Sequence, residues 1–348
     1  LPSELKAEKS LIRLAVAHCI AALRPDRSVF GALREYYPDD RIAPVIFQRA
    51  ASAPATTTGS GWADTLAVTA VEAFVRSLKD AAGAVLINAG YKLDLTGAAK
   101  INMPHVTAGG QAVWLAEGAP IPVGEGTTAA GQLGIHKLAL IEALTRESME
   151  ASPPGAENWM TVVLQDVATA ALDTSLFSNT AGSATRPPGL VAGIAPLTAS
   201  ATGNSFADAA ADFRALTDAI CQAGGGGRIL YFCSPGRALA AKSLLPAIAG
   251  QIFGSAYIPS AELFAVAVGT FVTAFGPTPE ILASRDAVLH FEDTTPVDIG
   301  TPGAPATVAA PSKSLFQTDS IAFRMVLRAG WGLRLANTAQ WIQTGMAW

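Results

Sequence analysis

Residues 107–132 are rich in Gly, Ala, Pro and Thr, hold two acidic side chains, Glu117 and Glu125, and contain neither Lys nor Arg. On either side lie β-like runs, Lys100–Val106 (KINMPHV) and Leu133–Leu144 (LGIHKLALIEAL). Two strands joined by such a stretch predict a long hairpin, and loops of that length inside compact domains are uncommon and usually functional or partner-bound. The next segment of the chain constrains the fold as strongly. Ser152-Pro153-Pro154 is a helix-start signal. Glu157–Phe177 then runs for about six turns and should span ~30 Å. A long hairpin leading into a long helix, with further strands behind it, predicts an α+β chain.

The flanking regions are less distinctive. Residues 1–24 read as a helix with Leu5, Leu11, Ile12, Leu14, Val16 and Ile20 on a rough apolar face, stopped by Pro25. Residues 25–61 hold Pro25, Pro38, Pro44 and Pro54 and end in APATTTGSG, which reads as a linker or extended arm that does not pack into a core by itself. A second helix is expected over residues 62–82, then a short β-like run at Ala84–Ile87. In the second half, helices are expected at Phe206–Ala223 and Pro235–Leu245. Strands are expected at Arg228–Cys233, Ala287–Glu292 and Ser320–Arg328, with a Pro/Gly/Thr loop at Asp293–Pro311. No internal repeat is visible.

Half of the residues are hydrophobic and 15% are charged, against roughly 25% charged in soluble domains. Either much of the outer surface is buried against other subunits, or alanine inflates the mean hydropathy of +0.33. The longest apolar run, Leu263–Phe275, is too short for a spanning helix of about 20 residues and reads as a buried strand pair or core segment. A net charge of −4 argues against wrapping nucleic acid through a global positive field. Three cysteines, Cys19, Cys221 and Cys233, make neither a disulfide framework nor a metal set, and Cys221 and Cys233 read as buried thiols.

No constellation of nucleophile, base and orienter stands out. His18, His105, His136 and His290 lack metal-site spacing, although His105 and His136 could face each other across the hairpin base. Gly224–Gly227 comes after a helix and lacks the Lys-Ser/Thr of a phosphate loop, so it reads as a helix C-cap. The pairs Asp39/Asp40 and Glu292/Asp293 read as solvated loop charges. Trp159, on the long helix, reads as core. Trp114, a large aromatic on a polar loop, suits a buried contact with a neighbour. No cofactor is implied, and the lack of such a constellation counts against an enzyme.

Four stretches, taken in order, carry a resemblance. They are Ala112–Pro122 (AVWLAEGAPIP), Lys137–Ser148 (KLALIEALTRES), the helix Glu157–Phe177 with Pro188-Gly189-Leu190 beyond it, and Ser314–Trp331 (SLFQTDSIAFRMVLRAGW). Together they resemble the major capsid proteins of tailed phages with the HK97-type fold: extended E-loop, strand into the spine helix, spine helix with its PxGL exit, and C-terminal strand. The resemblance covers about residues 100–348.

It implies an N-terminal arm over 1–98, an E-loop over 99–140, a P-domain from 141–205 and 283–328, and an A-domain from 206–282 and 329–348. It implies that Trp114, Glu117, Pro120 and Pro122 anchor the E-loop on neighbouring subunits. Trp159 would sit in the spine, and Gln317, Asp319, Arg324 and Trp331 would hold the C-terminal strand. The implied partners are further copies of the chain in pentamers and hexamers. Others are a scaffold or leader segment, a maturation protease, portal and decoration proteins, and DNA held by non-specific contact. The implied location is the virion capsid, assembled in the bacterial host cytoplasm, with no membrane. An encapsulin-like nanocompartment shell shares the fold, and a soluble hydrolase with an unrecognised site is the reading from another class. The proline-rich start and the absence of an initial Met favour a phage protein with a removable leader. Residues 101–136 contain no lysine, so a shell without E-loop isopeptide cross-links is expected.

Overall fold

The computed structural model describes residues 4–24, 26–51, 82–94, 100–108, 127–147, 153–275, 280–289 and 313–348. The chain divides into two compact units. The first is Leu1–Ser77, Leu138–Gln165 and Pro277–Leu327; the second is Leu78–Lys137, Asp166–Gly276 and Arg328–Trp348.

In the first unit, helices α1 (Glu4–Leu23), α2 (Val29–Tyr36) and α3 (Ile42–Ala51) pack on one another, and strand β9 (Glu280–Ser284) packs against α1. Leu11, Ile12, Leu14, Ala15, Val16, Ala17, Cys19 and Ile20 are all buried, so α1 is covered around most of its circumference instead of along one stripe. The expectation of a linker or extended arm is overturned for residues 26–51, where α2 and α3 lie with Ala32, Leu33, Ala43 and Ile46 buried, and the APATTTGSG run falls outside the described residues. Pro38 lies just beyond the end of α2. Pro44 lies in the first turn of α3, where a missing N–H breaks no intrahelical bond. The expected helix over 62–82 falls outside the described residues but for its last residue, Ala82.

Asp40 also departs from expectation. It is buried and accepts from the Ser10 hydroxyl (2.9 Å), Arg13 (3.1 Å) and the N–H groups of Ile42 (3.0 Å) and Ala43 (3.1 Å), capping α3 and tying it to α1. Arg285 donates to the carbonyl of Ala22 (3.0 Å) at the opposite end of α1. Residues Ala322–Val326 of strand β12 (Ser320–Leu333) pair antiparallel with β9, and β10 (Val288–Leu289) pairs with β11 (Lys313–Ser314). The second half of the strand expected at Ala287–Glu292, and the loop expected after it, lie outside the described residues.

The second unit is built on a four-stranded sheet in the order β13 (Ala339–Ile342), β7 (Leu263–Ala267), β5 (Ile229–Cys233), β6 (Ile252–Gly254). Every residue of β5 is buried, because both faces of the sheet are covered. On one face Ile229, Tyr231 and Cys233 join Phe213, Leu216 and Ile220 of helix α6 (Ser205–Gln222) and Ala238 and Ala241 of α7 (Pro235–Leu244). On the other, Phe232 and Phe264 pack against Phe177, with ring centroids 4.8 and 5.7 Å away, and Trp341 stacks on Phe264.

Leu263–Ala274 is buried as expected apart from the exposed Gly269, but the two strands of this run join different sheets. β7 and β8 (Phe271–Phe275) are separated by a single 3₁₀ turn, and β8 pairs with β1 (Tyr91–Asp94) and with Ala329–Leu333 of β12. The run at Ala84–Ile87 is a helix, α4 (Ala82–Ala89), not a strand; short apolar runs carry no period that separates the two. Cys233 is buried, and burial pushes its thiol up to about 12. Cys221 is exposed, against expectation. Ile220 of α6 faces the core, and the next position is turned ~100° away.

The start of α6 is a polar knot. Asn204 caps it, and the buried Asp208 accepts from the hydroxyl and N–H of Thr202 (2.7 and 2.8 Å), the Ser200 hydroxyl (3.0 Å) and the Gly203 N–H (3.2 Å). These bonds, led by the Thr202 hydroxyl, hold the Asp208 carboxyl below the usual aspartate range. A lowered native pKa stabilises the fold above the unfolded value, and that contribution disappears as pH falls through the native one. Asp208→Asn is therefore expected to lower stability in urea at neutral pH. The gap to the wild-type chain should narrow as pH drops below the ordinary aspartate value; a gap independent of pH would contradict this.

Candidate assembly surfaces

The hairpin expected around residues 107–132 is present. Strand β2 (Lys100–Ala108) pairs antiparallel with β3 (Thr127–Gly134), from Lys100↔Gly134 to Ala108↔Thr127. The returning strand begins earlier than the run Leu133–Leu144 suggested. That run divides at Ile135 into the end of β3 and a separate strand, β4 (His136–Thr145). Trp114, Glu117, Pro120 and Pro122 lie outside the described residues. His105 pairs with Ala129 within the ladder, whereas His136 lies beyond its base, so the two histidines do not face each other. Along β4, half-buried and exposed positions alternate at first, and Ile141 is exposed.

The long helix, α5, runs from Pro153 to Leu176 and carries Trp159 on its first half. The side chain of Trp159 is outside the described residues. At the helix exit, Pro188-Gly189-Leu190 folds back on the last turn. Leu190 N–H donates to the Leu176 carbonyl (2.8 Å), Gly189 N–H to Thr180 (3.0 Å) and Val191 N–H to Ser178 (3.3 Å). A Cβ at Gly189 would lie 2.1 Å from the Ser178 carbonyl oxygen, so no larger residue fits the tight return. The indole N–H of Trp331 donates to the Pro188 carbonyl at 2.9 Å, and Trp331 is buried. Two of the four stretches that carry the resemblance thus meet at one hydrogen bond.

Gln317 and Asp319 stand in the turn before β12, both exposed. Asp319 has φ 44°, and its carbonyl accepts from Arg146 N–H at 3.0 Å. Arg324 lies on β12 with its side chain exposed, directly across the ladder from the exposed Leu282 of β9. In the same unit Phe316 is 77% exposed, far beyond what a residue of its size gains in water.

A cleft of about 230 Å³ in the second unit is lined mostly by apolar groups, among them Pro188, Leu190, Ile194, Trp331 and Leu333, and by no titratable side chain. Among the described residues no group of three or more His, Cys, Asp or Glu could hold a metal ion, and no helix is long and apolar enough to cross a membrane. The chemistry within reach is contact: a two-stranded hairpin, exposed apolar side chains in both units, and a tightly fixed helix exit.

The architecture is that of the HK97-type fold, which the chain shares with solved phage structures. A chain from Microbacterium phage Oxtober96 aligns with a TM-score of 0.55 at 12% identity, over 77% of this chain and 92% of that one. A chain from Mycobacterium phage Bobi aligns with a TM-score of 0.55 at 16% identity, over 75% and 90%. The capsid of an empty GTA particle aligns with a TM-score of 0.51 at 13% identity, over 74% and 88%. In sequence, residues 84–225 match the phage capsid family. The capsid polyprotein of Pseudomonas phage PAJU2 is 27% identical in an alignment 263 residues long that covers 70% of this chain. The chain spans 38% of the length of that polyprotein.

Proposed function

We propose that this chain is the major capsid protein of a phage or prophage. Many copies would close through pentamers and hexamers into the icosahedral shell around the genome. The observation that carries this reading is the occurrence of the β2/β3 hairpin, the long helix α5 and its PxGL return, in that order, in one HK97-type chain. The phage origin of the polyprotein relative supports a genome, not cargo enzymes, as the content. The protein works as a structural part without catalysis or cofactor, in the virion capsid after assembly in the host cytoplasm. Scaffold or leader, maturation protease, portal and decoration proteins are the partners this role calls for.

In this reading residues 1–98 act as the N-terminal arm and 99–140 as the E-loop. Residues 141–205 with 283–328 form the P-domain, and 206–282 with 329–348 the A-domain. Trp114, Glu117, Pro120 and Pro122 seat the E-loop on a neighbour. Trp159 belongs to the spine, and Gln317, Asp319, Arg324 and Trp331 hold the C-terminal strand. Subunits arranged head to tail around closed rings need different patches on their two sides, and the two units each offer exposed apolar groups for that purpose. A net charge of −4 leaves DNA contact to local, non-specific positive groups.

Light scattering and sedimentation of the purified chain test this reading. Discrete particles of very many subunits are expected, and a single monomeric species at every concentration and ionic strength would overturn it. Because residues 101–136 hold no lysine, particles boiled in detergent should run as one band at the 35.7 kDa monomer mass. A ladder of covalent multimers on that gel would contradict a non-covalent shell.

A further inference from the structure

We propose that Gly330 is the positioning residue that fixes the direction in which the β2/β3 hairpin leaves its subunit. The importance of that direction for assembly rests on the shell reading above. The last residue of β3, Gly134, crosses over β12 in direct backbone contact. A Cβ built at Gly330 would stand 2.3 Å from the Gly134 carbonyl oxygen, where carbon and oxygen ordinarily approach to ~3.3 Å. Gly330 is itself held in the sheet, paired with Ala274 of β8, so it cannot retreat. The neighbouring Leu133 is fully buried against Val272 and Ala274, with Leu93 and Ile135 beside it. The hairpin root is thus a clamp of one apolar anchor and one glycine contact, both within the second unit. It is not a loose hinge.

The geometry gives the consequence a size. Alanine at 330 forces the Gly134 backbone away by about 1 Å. Across a two-stranded ribbon ~4.8 Å wide, that tilt is roughly 12°. Over an eight-residue ladder rising ~3.4 Å per residue, the far end of the hairpin moves by about 5 Å. Contacts packed as closely as a protein interior do not tolerate such a shift. Gly330→Ala should spare the subunit but spoil its fit to neighbours.

The test uses the full chain with three variants: Gly330→Ala, Leu133→Ala and, as control, Gly236→Ala, where an added Cβ meets nothing within 4 Å. Circular dichroism and melting report the fold, and sedimentation reports the fraction in particles. Wild type and Gly236→Ala should assemble. Gly330→Ala and Leu133→Ala should stay folded, with particle yield down by about tenfold or more, as a contact loss above ~1.4 kcal/mol requires. Wild-type particles at wild-type yield from Gly330→Ala overturn the proposal. A second readout needs no assembly: the spin-label distance between Thr128→Cys and the exposed Cys221, the buried thiols being unreactive. It should change by several ångströms in Gly330→Ala, or in Leu133→Ala if the first variant fails to fold. An unchanged distance overturns the positioning role, whereas a wild-type chain that never assembles overturns only the shell reading.

Discussion

Gly189→Ala is expected to destabilise the second unit by at least ~3 kcal/mol, at the upper end of what overpacking costs. The nearest obstacle is backbone, which cannot rotate away as the Ser178 hydroxyl, 2.3 Å from the added carbon, could. The added methyl would meet the Ser178 carbonyl oxygen at 2.1 Å and the Ser178 carbonyl carbon at 2.6 Å. Relief requires parting the return segment from the helix end, which gives up the bonds from Leu190 to Leu176 and from Val191 to Ser178. It also draws the Pro188 carbonyl away from the buried Trp331 indole. Urea unfolding followed by tryptophan fluorescence should show the midpoint falling sharply. A variant within ~0.5 kcal/mol of wild type would mean the PxGL return is not as tight as described.

Asp173→Ala is expected to cost about 3–5 kcal/mol, because it orphans three buried donors that each lose ~1–3 kcal/mol. The Asp173 carboxylate, itself buried, accepts from the N–H groups of Ala82 (3.1 Å) and Gly83 (2.8 Å) at the start of α4 and from the Ser255 hydroxyl (2.5 Å). One side chain on α5 therefore caps a helix some ninety positions earlier and fixes a loop some eighty positions later. Burial pushes its carboxyl above the ordinary aspartate value, and the bonds to Ser255, Gly83 and Ala82 pull the other way without cancelling it. A native carboxyl with a raised pKa binds its proton more readily than the unfolded chain does. Its contribution is thus fully favourable below the unfolded value and declines as pH rises through the native one. Asp173→Asn should flatten that decline. Hydrogen exchange at Ala82 and Gly83 checks the capping directly, and unchanged protection in Asp173→Ala would contradict it.

Legibility in the sequence depends on how local each signal is. The hairpin, α5 and the glycine-capped α6, with Gly224 at φ 83°, are readable because period, turn residues and helix-start signals act within a few positions. Residues 84–87 mislead because so short an apolar run carries no period of its own, and the side chain that caps its helix, Asp173, is far away in the chain. The arm at 25–61 misleads for a related reason. Prolines look like breakers in isolation, yet Pro44 is harmless in the first turn of α3, and Asp40 becomes a buried cap only once Ser10 and Arg13 reach it. The PxGL motif is visible, but its meaning is not: Gly189 is required by the oxygen of Ser178, a contact no spacing rule contains. Nor can the Gly330–Gly134 crossing be read, since nearly two hundred residues separate its partners. The segment with Trp114, Glu117, Pro120 and Pro122, outside the described residues, keeps only its sequence-based reading.

Negative-stain microscopy of the purified chain tests the central claim most directly. Closed particles of uniform diameter, built from capsomers with five- and six-fold outlines, are the predicted result. A field without particles or capsomers across protein concentration and salt, from a chain shown by melting to be folded, would contradict it.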